Sequence, residues 1–340
     1  MDITTQRPIG RTALSVTAAG FGGAGIGNLY RPVPPADAQG ALGLAWERGI
    51  RFFDTAPFYG FGLSERRIGD FLRDKPRNSF VLSTKVGRLL EPLKGRPAPD
   101  HGFADPLPFA PVYDYSYDGV MRSHEASLQR LGLDHIDILL IHDIGRMTHG
   151  AANDTLFRDA MGGGLKALQE LKAAGDIAAY GMGVNEVEVC LEALNHGEFD
   201  CFLLAGRFTL LDHAPAGKLL DQCLARHSSL LIGGVFNSGI LATGPVPGAH
   251  YNYGAPPPEI VERVRHLQAI CARHGVKLPT AALQFPGGHP AVATTLLGVV
   301  DVPSLARNLD GLAEAVPTAL WNDLTEAGLL RKELLSYLVA

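Results

Sequence analysis

The chain has little of what marks secreted, membrane-spanning or nucleic-acid-binding proteins. Its 340 residues include only 4 cysteines, and no two of them form a Cys-x-x-Cys pair, so a disulfide framework or a zinc knuckle has no support. No apolar run approaches the roughly 18 residues that a membrane-spanning helix needs. The formal net charge of −5 is small and is not gathered into long runs of one sign, which argues against nucleic acid or an anionic membrane as a partner.

These absences leave an ordinary globular protein. The first residues carry no apolar signal core, which favours a cytoplasmic location. The 12 histidines form no His-x-x-x-His or similar cluster near His142, so we predict no metal site. We expect the cysteines to be buried or half-buried thiols. They are Cys190, Cys201, Cys223 and Cys271.

What the sequence does have is a regular alternation of short apolar runs and amphipathic segments. The apolar runs predict strands at 17–21, 50–53, 80–84, 136–141, 178–182, 201–204, 230–233 and 293–297. The amphipathic segments predict helices at 35–48, 64–72, 117–131, 165–174, 186–196, 215–227, 258–274 and 303–312. Eight such alternations in about 300 residues favour an α/β protein with a (β/α)8 TIM barrel, not an open doubly wound sheet. With no linker in mid-chain, we predict one domain over residues 1–340.

Several segments fall outside this alternation. Residues 87–116 and 243–257 are rich in proline and glycine and lack periodicity, so we interpret them as long loops on the face where strands end, the first lying over the substrate. The glycine-rich pieces 20–27 and 162–164 are also interpreted as loops. The first resembles a dinucleotide fingerprint, but no helix or correctly spaced acidic residue follows it, which argues against a Rossmann fold. Residues 319–339 predict an extra helix outside the barrel.

Four residues able to do acid–base chemistry follow or end three of the predicted strands. Asp54 ends the second strand, Tyr59 lies in the loop after it, Lys85 ends the third strand and His142 ends the fourth. In parallel α/β proteins this face is where chemistry takes place. Each residue alone has a duller explanation, such as a cap, a packing contact or a solvated strand end. Their occurrence together, in this order, favours a catalytic role.

The chemistry of these residues suits proton transfer. A phenol has a reference pKa of about 10, which is too high for a good base near neutrality. We therefore predict that Lys85 lowers the pKa of Tyr59, that Asp54 holds Lys85, and that His142 donates to or orients a substrate oxygen. None of the four can accept a hydride, so a redox cofactor is required.

In type, order and setting, these four residues resemble the catalytic tetrad of the aldo-keto reductase superfamily, and the likeness covers almost the whole chain. Motifs at 109–116, 141–143, 204–211 and 236–241 resemble those of its L-fucose or D-threo-aldose dehydrogenases and of pyridoxal 4-dehydrogenase. The resemblance implies an N-terminal β-hairpin cap on the barrel. It also implies oxidation of the anomeric carbon of a free aldose to the lactone, with Tyr59 as general base assisted by Lys85, Asp54 and His142.

Three alternatives remain open. Pyridoxal forms a cyclic hemiacetal, so its oxidation to a lactone would need similar geometry. More aromatic contacts from Phe58, Phe61, Tyr113 and Tyr115 would suit its pyridine ring, whereas polar groups would suit a sugar. The others are NADPH-dependent reduction of aldehydes or ketones, and a role as a regulatory subunit. We expect a small-molecule substrate, and a monomer or small homo-oligomer.

The resemblance further implies a nicotinamide cofactor. By position, its binding residues would be Gly22, Asp54, Asn185, Phe236, Asn237, Gly239, Leu241, Gly298, Asp301 and Asn308. Many relatives have Ser and Gln where this chain has Val184 and Ala205, so fewer side chains would hold the carboxamide.

The residues after Gly298 bear on the choice between NAD and NADP. Relatives that use NADP place Lys, Arg or Ser there, whereas this chain has Val299, Val300 and Asp301. An acidic side chain repels phosphate and can accept hydrogen bonds from ribose hydroxyls. We therefore predict a preference for NAD, with NADP use left open because Arg307 could still reach a phosphate.

Overall fold

The strands close into a barrel. The computed structural model describes residues 2–339. The strands in that range are β1 (Gln6–Pro8), β2 (Ser15–Thr17), β3 (Ala19–Gly22), β4 (Phe52–Asp54), β5 (Val81–Val86), β6 (Arg88–Pro92), β7 (Phe109–Tyr113), β8 (Ile138–His142), β9 (Ala179–Val184), β10 (Cys201–Ala205), β11 (Ser229–Gly233) and β12 (Val292–Gly298).

Helices surround the barrel. The α-helices in the described range are α1 (Pro35–Glu47), α2 (Leu63–Leu72), α3 (Tyr117–Leu131), α4 (Arg146–His149), α5 (Asn153–Asp159), α6 (Leu165–Ala174), α7 (Val187–Ala193), α8 (Gly217–Arg226), α9 (Ile240–Thr243), α10 (Pro258–Arg273), α11 (Leu278–Gln284), α12 (Val302–Ala313), α13 (Thr318–Glu326) and α14 (Lys332–Leu338). Within residues 2–339, no helix is long and apolar enough to cross a membrane.

The barrel follows chain order. Its strands are β3, β4, β5, β8, β9, β10, β11 and β12, each parallel to the next, and β12 pairs with β3 to close the ring. All eight predicted strands are present, with bounds that differ by two residues or fewer. Their apolar runs are continuous because parallel strands are covered on both faces. The predicted (β/α)8 barrel is confirmed.

The N-terminal hairpin closes one end of the barrel. Strands β1 and β2 pair antiparallel, with Arg7 opposite Val16. Ile9 and Val16 are fully buried in a cluster with Phe52, Ile138 and other residues of the barrel interior. Phe52 and Ile138 begin their strands, so the hairpin lies at the end where strands start. The implied hairpin cap is confirmed.

The prediction of one uninterrupted loop over residues 87–116 is wrong. Strands β6 and β7 lie within it as an antiparallel ribbon of five paired positions. Pro92 and Pro111 lie within these strands. They made the strands hard to predict, because proline cannot donate a backbone hydrogen bond and is confined to edge strands. The stretch between them, 93–108, holds no strand.

Three smaller predictions also need correction. Residues 162–164 belong to a π-helix, Ala160–Gly164, that joins α5 to α6, and are not a loop. The glycine-rich piece 20–27 begins in β3, where a Cβ on Gly20 would meet Phe52 and Leu296 at 2.7 and 2.8 Å. The extra C-terminal helix is two helices, α13 and α14, separated near Gly328, whose φ of 68° ends the first.

Glycine at position 69 allows α2 to contact α3 closely. A Cβ there would collide with the carbonyl oxygen of Leu131, whereas a Cβ on Gly43 in α1 would meet nothing within 4 Å. We expect Gly69→Ala to lower the free energy of unfolding by about 1–3 kcal/mol through overpacking. The matched Gly43→Ala should raise it by about 0.5–1 kcal/mol, because alanine is the better helix former. Urea titration of both variants checks this. Equal effects of the two substitutions would contradict the close contact.

Candidate active site

A cavity of about 410 Å³ opens at the end of the barrel where the strands finish. Tyr59, Lys85 and His142 line it together, and Asp54 lies against Lys85. Its other lining residues are Ala24, Leu29, Tyr30, Phe58, His101, Gly102, Phe103, Asp143, Gly183, Val184, Asn185, Leu203, Ala205 and Tyr253. The four residues singled out from the sequence are thus brought to one place.

Lys85 is the second-to-last residue of β5, close to the strand end that the sequence predicted, and is 1% exposed. Its Nζ donates to Asp54 Oδ1 at 2.6 Å and to the carbonyl oxygen of Thr55 at 2.8 Å. The side chain runs past Gly183 on β9, where a Cβ would come within 2.9 Å of Lys85 Cε. A glycine is needed there to make room for the lysine stem.

Asp54 is the last residue of β4 and is 2% exposed. Besides Lys85, its Oδ1 accepts a hydrogen bond from Ser83 Oγ at 2.6 Å. Burial raises the pKa of the Asp54 carboxyl, while Lys85 and Ser83 oppose that rise. Asp54 does not line the cavity. Its contacts therefore make it a partner of Lys85, beneath the surface that a ligand would meet.

Tyr59 lies in the turn after β4, half-buried beside His142. The two ring centroids are 5.8 Å apart in an edge-on arrangement, and Lys85 Nζ is 5.6 Å from the centroid of the Tyr59 ring. Burial raises the pKa of Tyr59 well above its ordinary value, Asp54 and Asp143 raise it further, and Arg88 opposes them. The predicted lowering of this pKa is wrong in net direction, because burial and the nearby carboxylates outweigh the cations.

His142 ends β8 and is 4% exposed. Its carbonyl oxygen accepts a hydrogen bond from the Tyr115 hydroxyl at 2.7 Å. Burial lowers the pKa of the imidazole well below its ordinary value, and the cations of Arg88 and Lys85 lower it further. The ring is therefore neutral near pH 7, with one nitrogen able to donate and the other able to accept.

Two charged residues that the sequence reasoning did not assign to the site lie next to His142. Arg88 begins β6 and is 3% exposed, and its Nη2 donates to Asp143 Oδ2 at 2.5 Å. Asp143 lines the cavity, and its Oδ2 is 3.6 Å from His142 Nε2. A charged residue directly after an apolar strand and a glycine was the available signal for Arg88.

Aromatic rings form one wall of the cavity. The Phe58 ring meets Phe103 and His101 edge-on, with centroid separations of 5.3 and 5.4 Å. Of the four aromatic residues singled out from the sequence, Phe58 alone is a lining residue. Phe61 is fully buried behind it, and the remaining two, Tyr113 and Tyr115, lie on the far side of Arg88 and His142.

The residues expected to hold a cofactor differ in which cavity they line. Asn185 lines the tetrad cavity. Phe236, Gly298 and Asn308 line a second cavity of about 470 Å³ beside α12. Gly22 ends β3 and pairs with Gly298 at the same end of the barrel.

Four other expected cofactor residues do not line either cavity. Asn237 is 2% exposed, with its side chain bonded to Thr209 Oγ1 at 2.5 Å and to the Gly206 carbonyl oxygen at 3.1 Å. Asp301 is the N-cap of α12, accepting from the Ser304 amide at 2.8 Å. The other two, Gly239 and Leu241, lie in the turn and short helix after β11.

A (β/α)8 barrel with a buried Lys–Asp pair, a tyrosine and a neutral histidine around one cavity defines an NAD(P)-dependent oxidoreductase. The chain belongs to the aldo/keto reductase family, whose model matches residues 18–328. Members of this family use nicotinamide cofactors.

Individual relatives agree with this assignment. The chain is 44% identical to a pyridoxal 4-dehydrogenase of Microbacterium luteolum over 335 residues, covering 96% of this chain and 98% of that one. It is 37% identical to a D-threo-aldose 1-dehydrogenase of a Pseudomonas species, with 96% and 98% covered. Among solved structures, the holo form of an aldo-keto reductase from Bacillus halodurans superposes with a TM-score of 0.73 at 23% identity, covering 98% and 95% of the chains. That likeness shows the fold.

We expect Lys85→Met to lower the free energy of unfolding by about 3–5 kcal/mol at pH 7, because Asp54 is left buried without its counter-charge. The lone carboxyl would have a folded-state pKa above its unfolded value, so the loss should shrink as pH falls toward 4. The double variant Asp54→Asn/Lys85→Met should recover part of the lost free energy of unfolding. Urea titrations from pH 4 to 8 measure this. A loss that does not change with pH would contradict the assigned pairing.

Proposed function

We propose that the chain oxidises a cyclic hemiacetal to a lactone, with NAD as the hydride acceptor. The observation that carries this proposal is that Tyr59, Lys85 and His142 share one cavity while Asp54 neutralises the lysine from below. In the proposed reaction, Tyr59 takes the proton of the hemiacetal hydroxyl as a hydride leaves the same carbon. His142 orients the reacting oxygen through a ring N–H.

The charges around Tyr59 bear on the direction of the reaction. Because the pKa of Tyr59 is raised, the phenol is protonated at pH 7 and is ready to donate a proton during reduction. Oxidation requires the phenolate, so its rate should climb as the pH rises above 7. Lys85 and Arg88 supply the positive charge that favours the phenolate.

The lining of the cavity favours pyridoxal over an aldose as the hemiacetal. Phe58, Phe103 and Tyr253 surround the space next to Tyr59, and aromatic faces suit a flat pyridine ring. The sequence alone favoured the aldose. The higher identity to a pyridoxal 4-dehydrogenase supports the same change of preference. Asp143, Asn185 and His101 add polar groups to the cavity, and these keep an aldose as the second candidate.

The second cavity supports a dinucleotide that reaches from Asn185 toward α12. Ser304 and Asn308, on α12, line it with Gly298, and backbone at a helix N-terminus with hydroxyl and amide side chains suits a phosphate and ribose. Once bound, the cofactor supplies the hydride acceptor that the protein lacks. In this proposal Asn185, which lines the tetrad cavity, holds the amide of the nicotinamide ring.

The structure changes the argument for NAD over NADP. Asp301, on which the preference was based, caps α12 and lies 3.3 Å from Arg31, so its carboxylate is already paired. Lys277 and Arg307 line the second cavity, together with the acidic Asp310 and Glu314. We propose NAD as the cofactor, with a preference that these two cations keep small.

NAD reduction at 340 nm with pyridoxal, L-fucose, D-arabinose and L-galactose tests the function. We expect turnover with pyridoxal, weaker turnover with the sugars, and loss of more than about 100-fold in Tyr59→Phe, since a positioned acid–base group contributes at least about that much. Tyr117→Phe removes a hydroxyl from a surface residue and should leave the rate unchanged. A preference for the sugars would promote the second candidate. NADPH consumption with simple aldehydes, without any oxidation, would overturn the proposal.

The cofactor proposal has its own test. We expect kcat/KM for NADP to lie within about tenfold of that for NAD, since one exposed charge contact adds about 1 kcal/mol. Arg307→Met should lower NADP use and spare NAD use. Arg265→Met, an exposed residue of α10 paired with Glu262, serves as the control. Fluorescence titration with NADH and NADPH reads out binding directly. An equal loss for both cofactors would show that Arg307 does not select the phosphate.

A further inference from the structure

The ion pair of Arg88 and Asp143 lies beside the tetrad but is not part of it. We propose that Asp143, held by Arg88, determines substrate specificity by accepting a hydrogen bond from a hydroxyl group one or two carbons from the reacting carbon. This inference rests on the proposed function, because it assigns the substrate's second polar group to the same cavity. An aldose carries such a group on C2, the adjacent carbon, and pyridoxal carries its ring hydroxyl one carbon further away.

The position of Asp143 is unusual in its backbone as well as its charge. It follows His142 directly and has a φ of 44°, in the left-handed region that a residue with a side chain seldom occupies. Its amide donates to the Gly183 carbonyl oxygen at 2.8 Å, which fixes this conformation. A residue held in such a conformation at a cavity is a candidate for a role in function.

Arg88 has contacts that hold its guanidinium in one place. The group lies 3.9 Å from the centroid of the Phe58 ring and 5.1 Å from that of Tyr113. Nη2 donates to Asp143, whereas Nε and Nη1 are buried and have no hydrogen-bond partner. Burying a cation with unused donors costs stability. Arg88 does not line the cavity, so it acts through Asp143 and is a positioning residue.

The distance between Asp143 and His142 indicates what the pair recognises. Asp143 Oδ2 and His142 Nε2 lie 3.6 Å apart, close enough to contact two nearby oxygens of one substrate. The imidazole can donate to the reacting oxygen. An ionised carboxylate only accepts, so the neighbouring group must be a donor, and a hydroxyl meets that need.

The same geometry disfavours simple aldehydes. A substrate without the second hydroxyl would cover Asp143 and leave its carboxylate without the hydrogen bonds that water had provided. Sites built to bond a hydroxyl reject analogues that lack it for this reason. The chain should therefore select hydroxylated substrates in either direction of the reaction.

Matched pairs of substrates test this, each differing by one hydroxyl. The pairs are pyridoxal with 3-deoxypyridoxal, L-fucose with its 2-deoxy form, and, for reduction, lactaldehyde with propanal. We expect wild type to favour the hydroxylated member in kcat/KM by about 10- to 100-fold, the effect of one charge-assisted hydrogen bond. Asp143→Asn should reduce that ratio to within about threefold by weakening turnover of the hydroxylated member alone. Arg88→Lys should reduce the same ratio of kcat/KM values by a smaller factor.

Two controls separate this role from a structural one. Asp137→Asn disturbs another buried acid, paired with Arg77 at 2.7 Å near the start of β8, and should leave the ratio unchanged. If Asp143→Asn does not fold, Asp143→Glu keeps the charge and moves the carboxylate, and it too should lower the ratio. An unchanged ratio in a folded variant, or an equal loss for both members of a pair, would overturn the proposal.

The lactaldehyde pair distinguishes two failures. Absence of hemiacetal oxidation would remove the proposed function, yet the ratio for reduction would still test Asp143. Oxidation of pyridoxal with no discrimination between it and its deoxy analogue would remove the inference and leave the function standing.

Discussion

The buried ion pair between Lys85 and Asp54 is the interaction on which the site depends. It joins the neighbouring strands β4 and β5, and it requires a glycine at position 183 on β9 so that the lysine stem fits. Its energetic cost is the desolvation of two charges, which is offset by the hydrogen bonds from Ser83 and to the Thr55 carbonyl oxygen. Burial is the main cause of the raised pKa of Tyr59, and the charge of Asp54, the lysine's partner, raises it further.

A second buried pair, Arg88 and Asp143, repeats this arrangement on the other side of His142. The imidazole thus lies near two cations, each with its own carboxylate, and remains neutral because burial, and then these two positive charges, lower its pKa. The two pairs differ in what they expose. Asp54 is covered by Lys85, whereas Asp143 lines the cavity. One carboxylate therefore supports the chemistry from behind, and the other meets the substrate.

The sequence predicted the barrel well because each buried parallel strand leaves a short, continuous apolar run bounded by cap glycines. The sequence also predicted that Tyr59 and His142 lie at the same end of the barrel, since strand ends in such a barrel share a face. It did not predict β6 and β7, because a two-stranded ribbon with little buried surface leaves weak alternation. Nor could it predict the Tyr59 pKa, which depends on distances between charges, or that Asp301 is occupied as a helix cap.

The hairpin of β1 and β2 closes one end of the barrel, so the barrel is open only at the end where the strands finish. Ile9 and Val16 fill the end where the strands start, so anything that enters the tetrad cavity must leave by the way it came. If the dinucleotide extends from Asn185 toward α12, substrate and product must share the opening of the tetrad cavity with it. The smaller substrate and product would then have to enter and leave past the larger dinucleotide.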